Sequence, residues 1–379
     1  MKILPLSTTG RTGNRYVALR SFMAVLPCWM LLACGGCGTT GPANQTTIVV
    51  NSLADDDPGV LSPADMAAPA TGTVTLRSAM RDLPSGGKIV FDPSLDNGTI
   101  LLSIVGSDNS VLKGEIYGMT FQGYGERNYG RSALYAAKDI TIDASALPNG
   151  ITLTWTGGDS NRARVMAVYG NLTMKNVTVT SGYSSYEAIS GGTQPYTLAR
   201  GGGLAVWGTA TLDRCTVSGN RCVGDDNTTG SRDRGTYGGG IYARGLIINN
   251  CVVSGNSVKG YGAAGGGIYS VGGSDGPAGI DSTISGSAIT GNRVTAEHAY
   301  GGGIFTLGGG PKFSRSLALT NCTVARNVVE DRSDLPDPSS GYYYRGGGIY
   351  MGGGYLSVTG CTIAENGVTG NMATFSRKP

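Results

Sequence analysis

The sequence lacks several features on which common enzymatic functions depend. His298 is its only histidine, and because it stands beside Glu297 in a predicted short loop, we expect a surface residue rather than a catalytic base. Serine and cysteine nucleophile signatures are absent, and no glycine motif has the form of a phosphate-binding loop. We therefore assign no catalytic residue from the sequence, and we expect no cofactor.

Long apolar runs are missing as well. The run from 22 to 33 has about a dozen residues, whereas a helix needs roughly 20 to cross a bilayer. It follows a start that carries four cations and no acid, and it ends in small residues. This layout is typical of a secretory signal, so we expect residues 1–33 to direct export and to be removed.

The end of the signal, Leu31-Leu32-Ala33-Cys34, resembles the lipobox of bacterial lipoproteins. The resemblance implies that Cys34 becomes the acylated first residue, that residues 34–45 form a tether, and that an N-terminal lipid holds the protein in a membrane. The residue directly after Cys34 is Gly35 rather than Asp, and by the same resemblance this favours the outer membrane or cell surface. The alternative is an ordinary signal with an incidental cysteine.

An excess of positive charge is missing from the mature chain. Removing residues 1–33 takes four of the 29 basic residues and none of the 26 acidic ones, which leaves 25 against 26 and a net charge of −1. A nucleic-acid-binding domain would need a basic surface. We therefore expect no nucleic-acid partner.

Glycine, by contrast, is abundant, with 64 of 379 residues, or about 17% against a typical 7%. Much of it lies in a unit that occurs five times, with Gly-Gly-Gly-aliphatic at its head and apolar-x-x-Asn at its tail. The heads begin at Gly201, Gly238, Gly265, Gly301 and Gly346. The tails end at Asn220, Asn256, Asn292, Asn327 and Asn366.

Two segments in each unit alternate apolar and polar residues, as strands with one buried face do. No segment between them is long enough for a crossover helix, so the pattern predicts an all-β solenoid of stacked parallel coils. Glycine suits the sharp corners. We expect the tail Asn at a corner too, because Asn tolerates the left-handed conformation and its amide can bond along a stack.

A small residue stands five positions before each tail Asn. We expect these residues to stack in the interior, coil upon coil. They recur once per coil instead of converging on one point, so they predict no metal site. Disulfides between adjacent coils are the alternative, with a pairing that the sequence does not determine and with Cys222 as an exception. The residues are Cys215, Cys251, Ser287, Cys322 and Cys361.

The upstream sequence predicts how the solenoid begins. Residues 46–102 contain an amphipathic helix, Leu76–Leu83, and a strand, Lys88–Phe91, which we interpret as a cap over the first coil. Weaker copies of the repeat follow, so the β-helix is predicted over 103–371, with a tail at 372–379.

The Gly-Gly-Gly-Ile and apolar-x-x-Asn pairs resemble the repeats of the polymorphic outer-membrane proteins of chlamydiae and related bacterial β-helix proteins. The cap, with Thr75-Leu76-Arg77-Ser78-Ala79-Met80, is similar to the N-terminal region of CSLREA-type and choice-of-anchor Q surface proteins. Together the resemblances imply a right-handed parallel β-helix at a bacterial surface. The chain departs from these families at three points. The third residue of the triplet is Gly where the families have Ala, and Val or Ile takes the place of Phe in the tail motif. No autotransporter barrel follows Asn371.

The stretches between each tail Asn and the next glycine triplet vary in length and are rich in Tyr and Arg. Stacking must bring them out along one side of the solenoid, which we call the loop edge. Aromatic faces beside hydrogen-bonding groups are what a glycan or protein ligand uses, although tyrosine that only packs over the solenoid is the alternative. The candidate binding residues are Tyr237, Tyr300, Tyr342, Tyr343, Tyr344, Arg200 and Arg345. Three stretches are long (Tyr183–Arg200, Arg221–Tyr237, Val328–Arg345) and two are short loops (Ser257–Ala264, Arg293–Tyr300).

We therefore expect a non-catalytic adhesin or a protein that binds a polysaccharide or host surface. The alternative is a polysaccharide lyase or glycoside hydrolase acting on an acidic polysaccharide, since many right-handed β-helices have these activities. Hydrolysis needs paired carboxylates, and a lyase needs acids that hold calcium, but acids in loops are usually only solvated. The candidates are Asp225, Asp226, Asp281, Glu330 and Asp331, with Asp55, Asp56 and Asp57 for calcium.

Overall fold

The computed structural model describes residues 45–66, 72–106, 130–186, 199–224, 235–271, 281–307, 316–331 and 343–369, together with the backbone of four short strands between 111 and 128. The predicted signal (1–33), Cys34, all but the last residue of the tether and the tail (372–379) lie outside the described residues.

The N-terminal part contains one described α-helix and fourteen strands. They are α1 Leu76–Asp82, a 3-10 turn Pro93–Leu95, and β1 Thr47–Val50, β2 Gly87–Phe91, β3 Gly98–Leu102, β4 Val111–Leu112, β5 Glu115–Ile116, β6 Met119–Thr120, β7 Arg127–Asn128, β8 Ser132–Ala136, β9 Ile140–Asp143, β10 Ile151–Trp155, β11 Arg164–Val168, β12 Leu172–Lys175, β13 Val177–Thr180 and β14 Tyr183–Ser185.

The five repeat units form the remaining described strands. They are β15 Leu204–Asp213, β16 Thr216–Ser218, β17 Arg221–Val223, β18 Thr236–Tyr237, β19 Ile241–Asn249, β20 Val252–Ser254, β21 Ser257–Ala264, β22 Ile268–Ser270, β23 Ser282–Ser285, β24 Ala288–Thr290, β25 Arg293–Tyr300, β26 Ile304–Thr306, β27 Ser316–Thr320, β28 Thr323–Ala325, β29 Val328–Asp331, β30 Tyr343–Arg345, β31 Ile349–Met351, β32 Tyr355–Thr359, β33 Thr362–Ala364 and β34 Gly367–Thr369.

These strands stack into three parallel sheets. The first has 14 strands and includes β1, β2, β9, β12, β15 and β19, the second has 8 from β3 to β33, and the third has 8 from β14 to β34. Antiparallel pairing occurs, among the described residues, only between β4 and β7 and between β5 and β6. The predicted all-β class and the parallel solenoid are therefore confirmed.

The fourth repeat unit shows the path of one coil. From the triplet at Gly301 the chain passes through β26 and β27 in the first sheet, β28 in the second and β29 and β30 in the third. Strand β26 pairs with β22 before it and β31 after it, with Ile268, Ile304 and Ile349 in register. Each unit therefore stacks on equivalent residues of the next, and the aliphatic head residue points into the common core.

Each coil turns at three points where one residue adopts a positive φ. One is the first glycine of the triplet, as at Gly265 with φ 68°. The other two are the residues directly before the column of Cys215 and directly before the tail Asn, as at Asn250 (54°) and Gly255 (61°). The tail Asn itself is not left-handed, so this part of the prediction is wrong. Its role is the hydrogen-bonded stack, because the preceding residue makes the corner.

The tail asparagines form a buried ladder through the repeat. Asn256 donates its Nδ2 to Oδ1 of Asn292 at 3.0 Å, and Asn292 donates to Asn327 at 2.9 Å. The same Oδ1 atoms accept the backbone N–H of the preceding asparagine, and a second Nδ2 bond reaches a carbonyl of the preceding coil, as from Asn292 to Val253. The amides of Asn256, Asn292 and Asn327 are fully buried and satisfied, which holds adjacent coils in register.

The glycine triplet leaves room for this ladder and for close contact between coils. A Cβ on Gly239 would lie 2.2 Å from the carbonyl oxygen of Gly266 in the next coil. A Cβ on Gly240 would lie 2.9 Å from the side chain of Asn256. Larger residues at either position would push two coils apart, so the head and tail motifs belong to one packing device.

The cysteine column is buried as predicted, apart from a half-buried Cys361, and the described cysteines are free thiols. The backbone N–H of Cys215 donates to Sγ of Cys251 at 3.2 Å, and Cys251 donates likewise to Ser287. Cys222 is also fully buried, in a separate apolar cluster, and burial raises the pKa of its thiol to about 11. The raised pKa makes the Cys222 thiol a poor nucleophile.

The strands of the predicted cap already belong to the sheets. Strand β2 pairs with β9 and β3 with β10, while β1 extends the first sheet by one strand. Helix α1 begins at a capping box between Thr75 and Ser78 and packs its apolar face against β1, β2 and β8. The helix therefore covers apolar side chains that β-strands would otherwise leave exposed at this end.

Candidate functional site

The predicted short loops are strands. Strand β21 spans all of Ser257–Ala264 and β25 spans all of Arg293–Tyr300, paired in the third sheet. Two of the long stretches also begin and end with strands of that sheet, β17 with β18 and β29 with β30, whereas Tyr183–Arg200 begins with β14 and ends at a single bridge from Arg200 to Tyr237. The loop edge is thus the third sheet, in which β21 and β25 are continuous and the strands on either side of them are interrupted. The alternation of apolar and polar residues did not predict these strands, because β21 contains four Gly or Ala residues and its alternation of buried and exposed positions breaks near Tyr261.

One row of side chains is formed by the residues that stand directly before each glycine triplet. It runs Arg200, Tyr237, Ala264, Tyr300 and Arg345, and each pairs with the next through the parallel ladder. We call it the corner row. Four of its five members were among the predicted binding residues. Alanine at its centre leaves Tyr237 and Tyr300 two coil spacings apart, about 10 Å along the backbone ladder.

A second row lies on the other side of the triplets. The residue after each aliphatic head is Tyr242, Tyr269, Phe305 and Tyr350 in four successive units, and we call it the aromatic column. The rings of Tyr269 and Phe305 stack with centroids 4.8 Å apart, and those of Phe305 and Tyr350 with centroids 5.4 Å apart. Because strand residues alternate faces, the aliphatic residue points inward and the aromatic one points outward.

The two rows touch each other across the corner. Tyr237 stacks on Tyr269 at 4.3 Å, while the guanidinium of Arg200 lies 4.1 Å from the centroid of the Tyr237 ring. Arg200 is itself buried, with its side chain donating to the carbonyl of Gly235. Tyr237 is therefore fixed between a cation and another ring. Burial raises the pKa of Tyr269 well above its usual value, so its hydroxyl stays protonated.

Tyr300 breaks the regular stacking. Its ring is tilted by 60° against Phe305 and by 41° against Tyr350, so it does not continue the parallel stack of the aromatic column. Across the neighbouring strands, Tyr261 makes an edge contact with His298, with centroids 5.4 Å apart. Tyr300 is thus tilted against the stacked rings, and Tyr261 makes its edge contact with the imidazole.

A surface groove of about 580 Å³ lies between these rings. It runs obliquely across the coils, from Tyr261 and Gly262 on β21 past Ala264 to Leu307 and Gly352 beyond β26 and β31. This is an extended depression rather than a closed cavity, and we call it the aromatic groove. Its lining residues are Tyr237, Tyr261, Gly262, Ala263, Ala264, Tyr269, His298, Tyr300, Phe305, Leu307, Tyr350 and Gly352.

The described residues that line the groove are uncharged or, in the case of His298, an imidazole. None of its lining residues is Asp, Glu, Lys or Arg. The polar groups it offers are tyrosine hydroxyls, an imidazole and backbone amides. His298 lies within β25, half-buried, so the prediction of a surface residue in a short loop is wrong for it. Its neighbour Glu297 is buried.

The remaining predicted binding residues lie outside the groove. Tyr344 packs on the third sheet's own apolar cluster and donates its hydroxyl to Asp331. Arg345 is exposed at the end of the corner row, and Arg200 is buried behind Tyr237. Tyr343 pairs with His298 through the backbone, while its side chain, like all of Tyr342, is outside the described residues. Tyr237 and Tyr300 are therefore the two predicted residues that line the groove.

The aromatic column is the part of the site that sequence reasoning missed. The signal was present, because the aliphatic residue of the triplet motif is followed by Tyr or Phe in four of five units. Alternation along a strand would have placed those rings outward.

The acids proposed for catalysis do not converge in the described structure. Glu330 pairs with Arg293 at 2.6 Å, Asp331 accepts from Tyr344, and Asp281 accepts from the backbone of Ser316. Asp225 and Asp226 are outside the described residues.

The acids proposed for calcium do not form a cation site either. Asp55 pairs with Arg77 and accepts two backbone N–H groups after β3, so it connects the loop before α1 to the solenoid. Asp57 pairs with Arg81. No group of three His, Cys, Asp or Glu that could hold a metal occurs among the described residues.

Comparisons with known proteins identify no relative. The chain matches no protein-family model, no curated protein and no solved structure. Within the part of the chain that the structure describes, no helix has the length and apolar character needed to cross a membrane.

Proposed function

We propose that this protein is a non-catalytic, surface-exposed binding protein whose aromatic groove holds a glycan. The observation that carries the proposal is the groove itself, in which rings from two rows surround the small residues Gly262 and Ala264. Pyranose rings present C–H groups on one face and hydroxyls at their rim. Tyrosine matches both, with an apolar ring and a polar tip.

The solenoid supplies the rigidity that such a site needs. Strands β21, β22, β25 and β26, which carry most of the groove residues, are each paired on both sides, as β25 is with β21 and β29. Tyr237 is held between Arg200 and Tyr269 before any ligand arrives. A preformed surface loses little conformational entropy on binding, which favours affinity for weakly interacting ligands.

Binding without catalysis accounts best for the chemistry that is present. Glycoside hydrolysis by the usual route needs two carboxyl groups beside the bond that is cleaved. The described lining residues include no carboxylate. The nearest candidates on the third sheet, Glu330 and Asp331, already have partners.

The location belongs to the proposal as well. The basic and apolar start with Cys34 supports export and attachment to the outer membrane or cell surface through a lipid. The repeat motif, similar to that of polymorphic outer-membrane proteins, and the N-terminal segment, similar to that of CSLREA and choice-of-anchor Q proteins, support a place among bacterial surface β-helix proteins. An adhesin that contacts host or neighbouring cell glycans fits both features.

The test uses the purified mature chain against a panel of polysaccharides, read for retention and for products. We expect retention on at least one polysaccharide without release of reducing or unsaturated ends. The variants Tyr237→Ala and Tyr300→Ala should each weaken retention at least tenfold, while Tyr355→Ala, an exposed tyrosine of β32 away from the groove, should not. Absence of retention on every polysaccharide, or product release by the wild type, would refute the proposal.

A further inference from the structure

Gly262 occupies a position where the fold does not require glycine. A Cβ built there meets no heavy atom within 4 Å, and the residue has no positive φ. This contrasts with Gly239 in the same coil, whose Cβ would collide with a carbonyl oxygen. Packing and backbone conformation explain the triplets, and they do not explain Gly262.

The pairing of Gly262 in the ladder places it in the groove. It pairs with His298 on one side, and two residues further along, Ala264 pairs with Tyr300. Residues two apart on a strand share a face. Gly262 and Ala264 are therefore two small neighbours beside a coil that carries His298 and Tyr300, and they form the low part of the groove.

The third sheet is interrupted on both sides of this low part. Before it, the ladder stops after the pair Val223 with Lys259 and resumes with Thr236 and Ala263. After it, the ladder stops at Asp331 opposite Ala296 and resumes at Tyr343 opposite His298. Strands β21 and β25 are continuous across the same region. The groove therefore lies where two uninterrupted strands stand between two interrupted ones.

The charge of the groove limits what can enter it. No Lys or Arg is among the described lining residues, so a carboxylate or sulfate would lose hydration against aromatic rings without gaining a counter-ion from them. Ring faces also carry negative partial charge. A compact organic cation would need several exposed ring faces around one point, whereas Tyr237, Tyr269 and Phe305 cover one another.

From these observations we infer that the groove binds an uncharged, extended oligosaccharide chain, and that Gly262 is the residue that keeps its entrance open. This inference rests on the proposed function and specifies its ligand. The oblique path from Tyr261 to Gly352 spans several coils, so it accommodates a chain of sugars rather than one ring. The tyrosine rings of the lining supply apolar surface for the faces of the sugars, and their hydroxyls supply hydrogen-bonding groups at the rim.

The experiment compares Gly262→Trp with Gly367→Trp in the purified mature chain. Gly367 lies in β34 of the same sheet, also has open space at its Cβ, and is not part of the groove. The probes are a neutral mannan, glucan and galactan, together with polygalacturonate and alginate as acidic polysaccharides. Affinity is measured by retardation in gels that contain each polysaccharide, and the melting midpoint of each variant is recorded.

We expect the wild type to bind a neutral polysaccharide with an affinity unchanged at about 1 M salt, where the Debye length is about 3 Å. Gly262→Trp should lose at least tenfold in affinity at an unchanged melting midpoint, and Gly367→Trp should bind normally. Gly262→Leu serves as a second variant with a smaller side chain. Unfolding of both Gly262 variants would contradict the open space at this position and overturn the inference.

Other outcomes separate this inference from the proposed function. Binding only to acidic polysaccharides, or binding that high salt removes, would overturn the uncharged ligand while leaving a glycan-binding function in place. Neutral binding that survives Gly262→Trp would overturn the role of Gly262. Binding to no polysaccharide would refute the proposed function itself.

Discussion

The ring of Tyr237 stacks on the ring of Tyr269 with centroids 4.3 Å apart, although the two residues flank different glycine triplets. Tyr237 leans over Ala264, its partner in the ladder, and so reaches the aromatic residue of the following coil. The guanidinium of Arg200 covers its other face. The position of one groove wall is therefore set by three successive coils.

We expect Arg200→Met to weaken glycan binding about two- to thirtyfold, since a cation over a ring contributes roughly 0.5 to 2 kcal/mol and each 1.4 kcal/mol is tenfold in affinity. The ring of Tyr237 would then be held on one face only. Isothermal titration with the bound glycan measures the change. Arg221→Met is the control, because Arg221 is exposed on β17 and is no part of the groove. Equal affinity of both variants and the wild type would show that the clamp has no effect.

Glycines of the same coil should differ sharply in their tolerance of a methyl group. Gly239→Ala places a Cβ 2.2 Å from the carbonyl oxygen of Gly266, so two coils must separate, and we expect a loss of about 1 to 3 kcal/mol. Gly262→Ala meets no atom within 4 Å and should unfold at the wild-type midpoint. Denaturant titration followed by circular dichroism compares the two. Equal stability of both variants would contradict the packing assigned to the triplet.

Lipid attachment is predicted by the sequence at Cys34, outside the described residues. Cells that express the full chain with radiolabelled palmitate should label the wild-type protein. Cys34→Ser should remove the label and leave the protein unprocessed or soluble, whereas Cys28→Ser, a cysteine within the apolar run, should not. Labelling that persists in Cys34→Ser would reject the lipobox.

The sequence was informative wherever one residue type had one physical role. The triplet and the tail Asn recur because the space at Gly240 and the amide of Asn256 fit each other, and this periodicity predicted the solenoid. The extent of the third sheet was not predictable, because β21 and β25 fill stretches whose neighbours are interrupted. Variable length suggested loops, and Glu297 and His298 gave the impression of a polar turn.

The site was predicted in part for a similar reason. Tyr237 and Tyr300 were found by composition, since both stand in variable, tyrosine-rich stretches. Tyr269 and Phe305 were missed because they stand inside the repeated strand, where regularity suggested a purely structural role. Tyr344 shows the limit of composition, because it has the same surroundings in sequence and yet packs inward with its hydroxyl on Asp331.

The asparagine ladder leads to a prediction that separates its interior from its end. Removing the side chain of Asn292 takes the acceptor from Nδ2 and N–H of Asn256 and the donor from Oδ1 of Asn327 and the carbonyl of Val253. These groups are buried, and each unsatisfied one costs about 1 to 3 kcal/mol. We therefore expect Asn292→Ala to lose several kcal/mol or to fail to fold.

Asn366→Ala is the matched control at the last described position of the ladder. Asn366 accepts from Asn327 and donates to the carbonyl of Val324, but it is half-buried, so water can reach the groups left behind. We expect it to lose clearly less stability than Asn292→Ala in the same denaturant titration. If the two substitutions cost the same, burial of the amides is not what makes the ladder stabilising, and the repeat of Asn at each coil would need another cause.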